Sequence, residues 1–368
     1  MQDGEEAVAT FVRRRRRGPN DRYRPRPPVG KWAHTYAALD LGTNNCRLLV
    51  ARPTGDGFRV IDAFSRIVRL GEGLGRNGAL SDAAMDRTLE ALKVCAGKMR
   101  RRGVTRWRAV ATEACRRASN CQAFMDRVAG QTGLEFEIIS TREEARLAFD
   151  GCAPLLDRSL PYALVFDIGG GSTQLMWLAL PPRGRPTDIG WTSLPVGVVT
   201  LSEHFGGRDV DAGQYTAMVD EVGAALRTFE ATHGIAGQVA AGRVQMLGTS
   251  GTVTTVAAVH LRLPRYDRSA VDGTFLDFAD AERVGRDLAL AGHPGRMAQP
   301  CIGRDRADLV LAGCAILVAM CRQWPVGRLR VADRGLREGM LLEMIEEAER
   351  EAYAERAEIT GAAPAVLG

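Results

Sequence analysis

The sequence predicts an α/β protein of two similar halves that face each other across a cleft. Its first support is an internal echo. Ala38-Leu39-Asp40-Leu41-Gly42-Thr43-Asn44-Asn45 returns in altered form as Val165-Phe166-Asp167-Ile168-Gly169-Gly170-Gly171-Ser172. Each copy is an apolar run, an Asp, an apolar residue and a Gly, then small residues and a further apolar run (Leu48 to Ala51; Leu175 to Leu180). Physically that is a strand, a tight turn and a second strand. The second support is the alternation of strand-like and helix-like periodicity along the chain. The third is length, since 368 residues suit about two domains. The echo also carries chemistry. Such a turn exposes backbone N–H groups that bind phosphate oxygens, and an Asp at its mouth can hold a metal ion. Two copies face to face would make a cleft for a phosphorylated ligand.

The elements follow in order. Residues 1–35 are rich in Arg and Pro, lack aliphatic pattern and are expected to be a disordered tail. Order is expected from Tyr36. A strand runs to Asp40 and a second from Arg47 to Ala51, around the turn Gly42 to Asn45. Phe58 to Leu70 reads as further strand, and Gly71 to Gly78 as a loop. Gly73 to Gly78 matches G-x-G-x-x-G, but a dinucleotide fingerprint needs a strand passing directly into a helix. Here Ser81 is a separate N-cap. From Ser81 to Arg102, Met85, Leu89, Leu92, Ala96 and Met99 form one apolar stripe, which predicts a helix. Trp107 to Thr112 is a strand, Asn120 caps a short helix to Gln131, Glu135 to Ile139 is a strand and Arg142 to Cys152 a helix. Pro154 to Pro161 breaks the pattern and marks a junction, giving halves of 36–158 and 159–350.

The second half opens with the strand Tyr162 to Asp167 and its turn. Gln174 to Leu180 and Gly190 to Leu194 read as strands, and Val198 to Phe205 and Ala212 to His233 as helices. Val244 to Leu247 is a strand. It leads into a third small-residue loop, Gly248-Thr249-Ser250-Gly251-Thr252, and a helix. Arg306 to Trp324 is a long apolar helix, Leu329 to Ala332 a strand, and Leu336 to about Arg350 a closing amphipathic helix. Residues 351–368 are expected to be a tail.

Charge and cysteines set further bounds. The formal charge is +5. Arg13 to Arg17, Arg22, Arg24, Arg26 and Lys31, against Asp3, Glu5, Glu6 and Asp21, account for all of it, so the remainder is formally neutral. Any contact with nucleic acid or another polyanion is therefore expected only through this basic N-terminal tail. The eight cysteines show no C-x-x-C pair and no metal spacing. They read as small core hydrophobes of a reduced, cytoplasmic protein. The longest apolar stretch, Leu309 to Cys321, is too short to span a bilayer, so no membrane association is expected.

Several motifs, in order and at sensible spacing, resemble the exopolyphosphatase and guanosine pentaphosphate phosphohydrolase family (Ppx/GppA). They are Asp40-Leu-Gly-Thr-Asn-Asn-Cys-Arg47; Ala111-Thr-Glu-Ala-Cys-Arg-Arg-Ala-Ser-Asn120; Ile139-Ser-Thr-Arg-Glu-Glu-Ala-Arg-Leu147; Asp167-Ile-Gly-Gly-Gly-Ser-Thr-Gln174; Gly248-Thr-Ser-Gly-Thr252; and Asp333-Arg-Gly-Leu-Arg-Glu-Gly339. The resemblance runs from about Tyr36 to Glu346. It implies two ribonuclease H-like domains of the acetate and sugar kinase, chaperone and actin superfamily, with an interdomain cleft. It also implies a Mg²⁺-assisted hydrolysis of a terminal phosphoanhydride.

Adjacent helix residues point about 100° apart, so only one of Glu143 and Glu144 can face a cleft. Glu143 can pair with Arg146 at i, i+3, which leaves Glu144 free. The family pattern places its catalytic base on this second Glu. Arg116 matches the Arg of the family's Ala-Thr-x-Ala-x-Arg motif, where a guanidinium can fork onto the terminal phosphate. Gly42, Thr43, Asn44 and Asn45, with Gly169, Gly170, Gly171, Ser172 and Thr173, are expected to bind successive phosphates through backbone N–H groups and small side chains. Gly248, Ser250 and Gly251 either hold a further phosphate at a helix start or form a plain cap. Asp167 is the expected Mg²⁺ ligand, with Asp40 a second through water.

Two departures matter. The family usually has Glu where this chain has Gln174, and an amide contributes no charge to a Mg²⁺ site. The resemblance is to a short form of the family, expected without the C-terminal HD-type helical extension of longer members. The Arg-rich tail or a homodimer would have to take over its grip on long chains. The expected reaction is release of orthophosphate from inorganic polyphosphate. The alternatives are hydrolysis of guanosine pentaphosphate and, given Gln174, a non-catalytic alarmone or polyphosphate sensor. A kinase would need an adenine pocket and an acceptor site, and neither has a signature.

Overall fold

The computed structural model describes residues 30–360, apart from 56, 185 and 209. The Arg/Pro-rich segment up to residue 29 and the end of the expected C-terminal tail, 361–368, lie outside the described residues. Eleven strands are β1 (Tyr36–Leu41), β2 (Asn45–Thr54), β3 (Gly57–Ile67), β4 (Arg106–Ala111), β5 (Glu137–Ile138), β6 (Tyr162–Ile168), β7 (Thr173–Ala179), β8 (Thr187–Leu194), β9 (Val244–Thr249), β10 (Phe275–Asp277) and β11 (Arg328–Ala332). They form a five-stranded sheet, β3-β2-β1-β4-β5, and a six-stranded sheet, β10-β11-β9-β6-β7-β8.

The two sheets repeat one plan. β1, β2 and β3 form an antiparallel meander, and β4 and β5 extend it parallel to β1. β6, β7 and β8 form the second meander, and β9 and β11 extend it parallel to β6. This is the ribonuclease H-like arrangement, twice, with β10 added antiparallel to β11 at one edge. The apolar runs explain the centre of each sheet. β1 is buried at every position, as a strand covered on both faces must be. The echo is now geometric. Gly42 N donates to Asn45 O at 2.9 Å, and Gly169 N donates to Ser172 O at the same 2.9 Å. Asp40 stands opposite Arg47 across β1 and β2, and Asp167 stands opposite Gln174 across β6 and β7.

One face of the first sheet packs on the helix Asp82–Arg101, through Leu89, Leu92, Cys95, Ala96 and Met99. Ser81 caps it by accepting from Ala84 N at 3.3 Å, as the sequence predicts. The second sheet packs around the helix Val310–Gln323, which is buried at every position from Val310 to Cys321. A helix apolar on all sides has to lie inside. No helix among the described residues is long and apolar enough to cross a membrane.

Several expectations need correction, the first being that Gly71 to Gly78, read as a loop, contains the helical turn Leu74–Asn77. The closing helix, which chain order assigns to the second half, packs on the first sheet, where Met340, Leu341, Met344 and Ile345 meet Tyr36, Ala38 and Leu49. It also runs on to Thr360, into the stretch expected to be a tail. Residues Gly30–Ala33, expected in the disordered segment, form a 3-10 turn that Lys31 ties to Glu349 of that helix at 2.7 Å. The helix expected from Arg306 is a short turn, Gly303–Arg306, and then Val310–Gln323. Asn120 makes no side-chain cap. Its amide instead clamps Leu80, donating to the carbonyl and accepting from the N–H at 2.9 Å each.

Candidate active site

A cavity of ≈510 Å³ lies between the halves. Asp40, Gly42, Thr43, Asn44, Asn45, Glu144, Asp167, Gly169, Gly170, Gly171, Ser172, Ser250 and Gly251 all line it. The two turns make one wall because they touch. A Cβ on Gly170 would stand 2.9 Å from Thr43 Cβ, and one on Gly171 would stand 2.8 Å from Glu113 Cγ. Only glycine allows this approach. Two residues expected in the phosphate cradle are elsewhere. The buried Thr173 donates its hydroxyl to Val196 O at 2.6 Å. Gly248 lies under Phe166, whose Cζ would be 2.5 Å from an added Cβ. Both serve the packing of the second sheet.

The helix Thr141–Cys152 carries the adjacent glutamates, and Ser140 caps it by accepting from Glu143 N at 3.2 Å. Glu143 faces away from the cavity, held by Arg146 at 2.7 and 2.8 Å and by Arg108 at 3.3 Å. Glu144 faces the cavity with only 13% of its side chain exposed. Arg116 stands behind it. One guanidinium nitrogen, Nη1, donates to Glu144 at 2.9 Å and to Ile139 O at 2.9 Å, while Nη2 donates to Glu113 at 2.8 Å. Burial pushes the Glu144 carboxyl up to about 7, against the pull of the Arg116 cation, with Asp167 and Asp40 adding to the rise. Burial likewise lifts Asp167 to about 6, opposed by Arg47 and reinforced by Asp40. Asp40 is raised by burial as well, against the pull of Arg47 and Arg337.

A profile of the Ppx/GppA phosphatase family matches residues 49–348. The chain belongs to the Ppx/GppA phosphatase family. It is 29% identical over 315 residues to the guanosine-5'-triphosphate,3'-diphosphate pyrophosphatase of Vibrio campbellii, a match that covers 85% of this chain and 59% of that one. The chain therefore spans about three-fifths of that relative's length. A crystal structure of the Aquifex aeolicus Ppx/GppA member superposes with a TM-score of 0.68 at 27% identity, over 86% of this chain and 98% of that one. An exopolyphosphatase structure from Cytophaga hutchinsonii superposes at 0.76 with 23% identity, over 85% and 98%, and shares the fold.

This Ppx/GppA chain brings further residues to the cavity that sequence reasoning left without a role. Glu113 lies inside one quoted motif, Arg47 ends another and Arg337 lies in a third. The signal for Arg47 was its place opposite Asp40 once the hairpin register is drawn. The Asp333–Gly339 motif shapes the wall. Glu338 accepts from Gly335 N at 2.9 Å and from Arg268 at 2.8 Å. Gly339 lets the closing helix touch the glutamate-bearing helix backbone to backbone, because a Cβ there would collide with the carbonyl of Leu147. Gly339→Ala is expected to cost about 1–3 kcal/mol, as overpacking does. It should also lower any turnover, since the displaced helix carries Glu144. A urea midpoint equal to that of the parent would contradict this.

The donors around the two aspartates suit a hard cation. Neither the Asp40 nor the Asp167 side chain has a hydrogen-bond or ion-pair partner among the described residues, and both line the cavity. Gln174 donates through Nε2 to Ser172 Oγ at 2.8 Å, yet its buried Oε1 has no partner among the described residues. Asn44 Oδ1 and Asn45 Oδ1 are buried and unpaired in the same way. No group of three or more His, Cys, Asp or Glu among the described residues could hold a metal ion alone. An ion at this place would complete its shell with water and phosphate oxygens, which is how Mg²⁺ is usually bound.

Proposed function

We propose that this chain is a phosphoanhydride hydrolase that releases the terminal orthophosphate of inorganic polyphosphate. The observation that carries the reading is Glu144, a largely buried carboxylate lifted to about 7 and 13% exposed to a cavity that two N–H-rich turns also line. In this reading the turns and Ser172 hold successive phosphates, with Ser250 and Gly251 at the third loop. Glu144 accepts a proton from the attacking water, and its raised proton affinity suits a base working near neutrality. Arg116 offers its guanidinium to the terminal phosphate, where charge develops in a loose transition state. Asp167 and Asp40 would hold Mg²⁺. When bound, that ion would offset the negative charge of the phosphate oxygens.

A second reading is hydrolysis of guanosine pentaphosphate, favoured by the name of the Vibrio relative. Both substrates present the same terminal anhydride. Phosphate release from the two in parallel, with Mg²⁺, decides between them by the ratio of kcat/KM. Release from neither, with binding retained, would overturn both and leave a sensor.

Gln174 makes a separate prediction. Gln174→Glu adds a carboxylate opposite Asp167, so the Mg²⁺ concentration for half-maximal activity should fall. An unchanged Mg²⁺ activation curve would show that position 174 does not reach the ion.

A further inference from the structure

The motif Asp333–Gly339 brings four charged side chains to the cavity wall, and three of them have partners. Asp333 accepts from the Tyr266 hydroxyl at 2.7 Å. Arg334 pairs with Asp272 at 3.0 Å. Glu338 is held by Arg268 and the Gly335 amide. Arg337 has no hydrogen-bond or ion-pair partner among the described residues, although it lines the cavity. Its electrostatic neighbours are Glu338, Asp40 and Asp333, which favour its charge, and Arg47, which opposes it. The side chain of Arg47 is also without a partner among the described residues. A guanidinium stays protonated whatever its surroundings. Two guanidinium groups that line one cavity without a contact partner attract an anion that enters it.

Position narrows the choice of anion. Glu144 feels Arg116, Asp167 and Asp40, whereas Arg337 feels Glu338, Arg47, Asp40 and Asp333. The closing helix lies antiparallel on the helix that carries Glu144, Gly335 against Gly151 and Gly339 against Leu147, so position 337 is level with Phe149, about 7 Å along the axis from Glu144 at about 1.5 Å per residue. One phosphoryl group cannot sit at both ends. We propose that Arg337 binds a non-transferred, internal phosphoryl group of a condensed phosphate, by the forked contact that guanidinium makes with phosphate oxygens. The site then grips a substrate of three or more phosphoryl groups at two places. This rests on the hydrolase reading only for which phosphate is transferred; the binding itself is independent of turnover.

The test is calorimetric titration of the full chain carrying Glu144→Gln, to block hydrolysis, with tripolyphosphate and with orthophosphate. Adding Arg337→Gln should weaken tripolyphosphate about tenfold or more, as loss of a charged hydrogen bond does, and leave orthophosphate within about twofold. Arg337→Lys keeps the charge without the fork and should fall between. Tripolyphosphate affinity unchanged in Arg337→Gln, equal losses for the two ligands, or no tripolyphosphate binding by the parent would each overturn the proposal. Should Arg337→Gln not fold, Arg337→Lys decides, because full retention of tripolyphosphate affinity there removes the fork. Turnover of polyphosphate by the chain with Glu144 intact reports on the hydrolase reading separately. Arg337-dependent binding without turnover would sink that reading and keep this one, and turnover without Arg337 dependence would do the reverse.

Discussion

Glu144→Gln is expected to lower phosphate release by about 10²–10⁴-fold, the usual cost of losing a general base. The amide matches the carboxylate in shape, so the helix Thr141–Cys152 and its Ser140 cap stay as they are. Arg116 keeps its contacts with Glu113 and Ile139 O. What is lost is proton affinity at one atom. With the Glu144 carboxyl lifted to about 7, the parent should lose activity as pH falls through that value, because the protonated form cannot accept a proton. The variant should lack this limb. Stability should move the other way. The unfolded chain releases this proton in the ordinary carboxylate range and the folded chain near 7. Stability from this group is thus greatest at low pH and is lost as pH rises through about 7. Glu144→Gln removes that loss, so its thermal midpoint above neutrality should exceed the parent's. Parent-like turnover in the variant would remove Glu144 from the chemistry, and a lower midpoint at high pH would contradict the burial of a charge.

The sequence was legible where local rules suffice. Asp-x-Gly inside an apolar frame specifies a strand and a turn whatever lies beyond, so Asp40 and Asp167 could be placed at matching points of two hairpins. The 100° step between helix neighbours, with Arg146 three residues on, separated Glu143 from Glu144. Small residues were harder. The same Gly and Thr types that bare backbone N–H groups also allow close packing, and nothing in the string distinguishes Gly170, against Thr43, from Gly248, under Phe166. Contacts between the halves were out of reach for a different reason. Gly339 against Leu147, Glu113 against Gly171 and the closing helix on β1 join residues far apart in the chain. No periodicity encodes such pairs. Arg337 shows the limit well, since what distinguishes it from Arg334 is the position of Asp272.

Arg116→Ala is expected to cost about 10³-fold in kcat, the scale of a transition-state arginine, and its pH dependence separates two contributions. The first acts on the base. Arg116 donates to Glu144 at 2.9 Å and holds its pKa down against burial. Without that cation, burial and the charges of Asp167 and Asp40 act unopposed, and the acid limb should move above about 7. The second acts on the transition state. Glu144 is fully ionised far above its pKa in parent and variant alike, so a difference in the high-pH plateau cannot come from the base. A deficit there measures the charge that Arg116 presents to the phosphate. Arg116→Lys should divide the two. A single ammonium lacks the fork that reaches Glu113, Glu144 and Ile139 O together, so the limb should stay near the parent's while the plateau remains low. A shifted limb with a full plateau in Arg116→Ala would confine Arg116 to tuning Glu144, and the contact with substrate would then fall to arginines that line the cavity, Arg47 and Arg337.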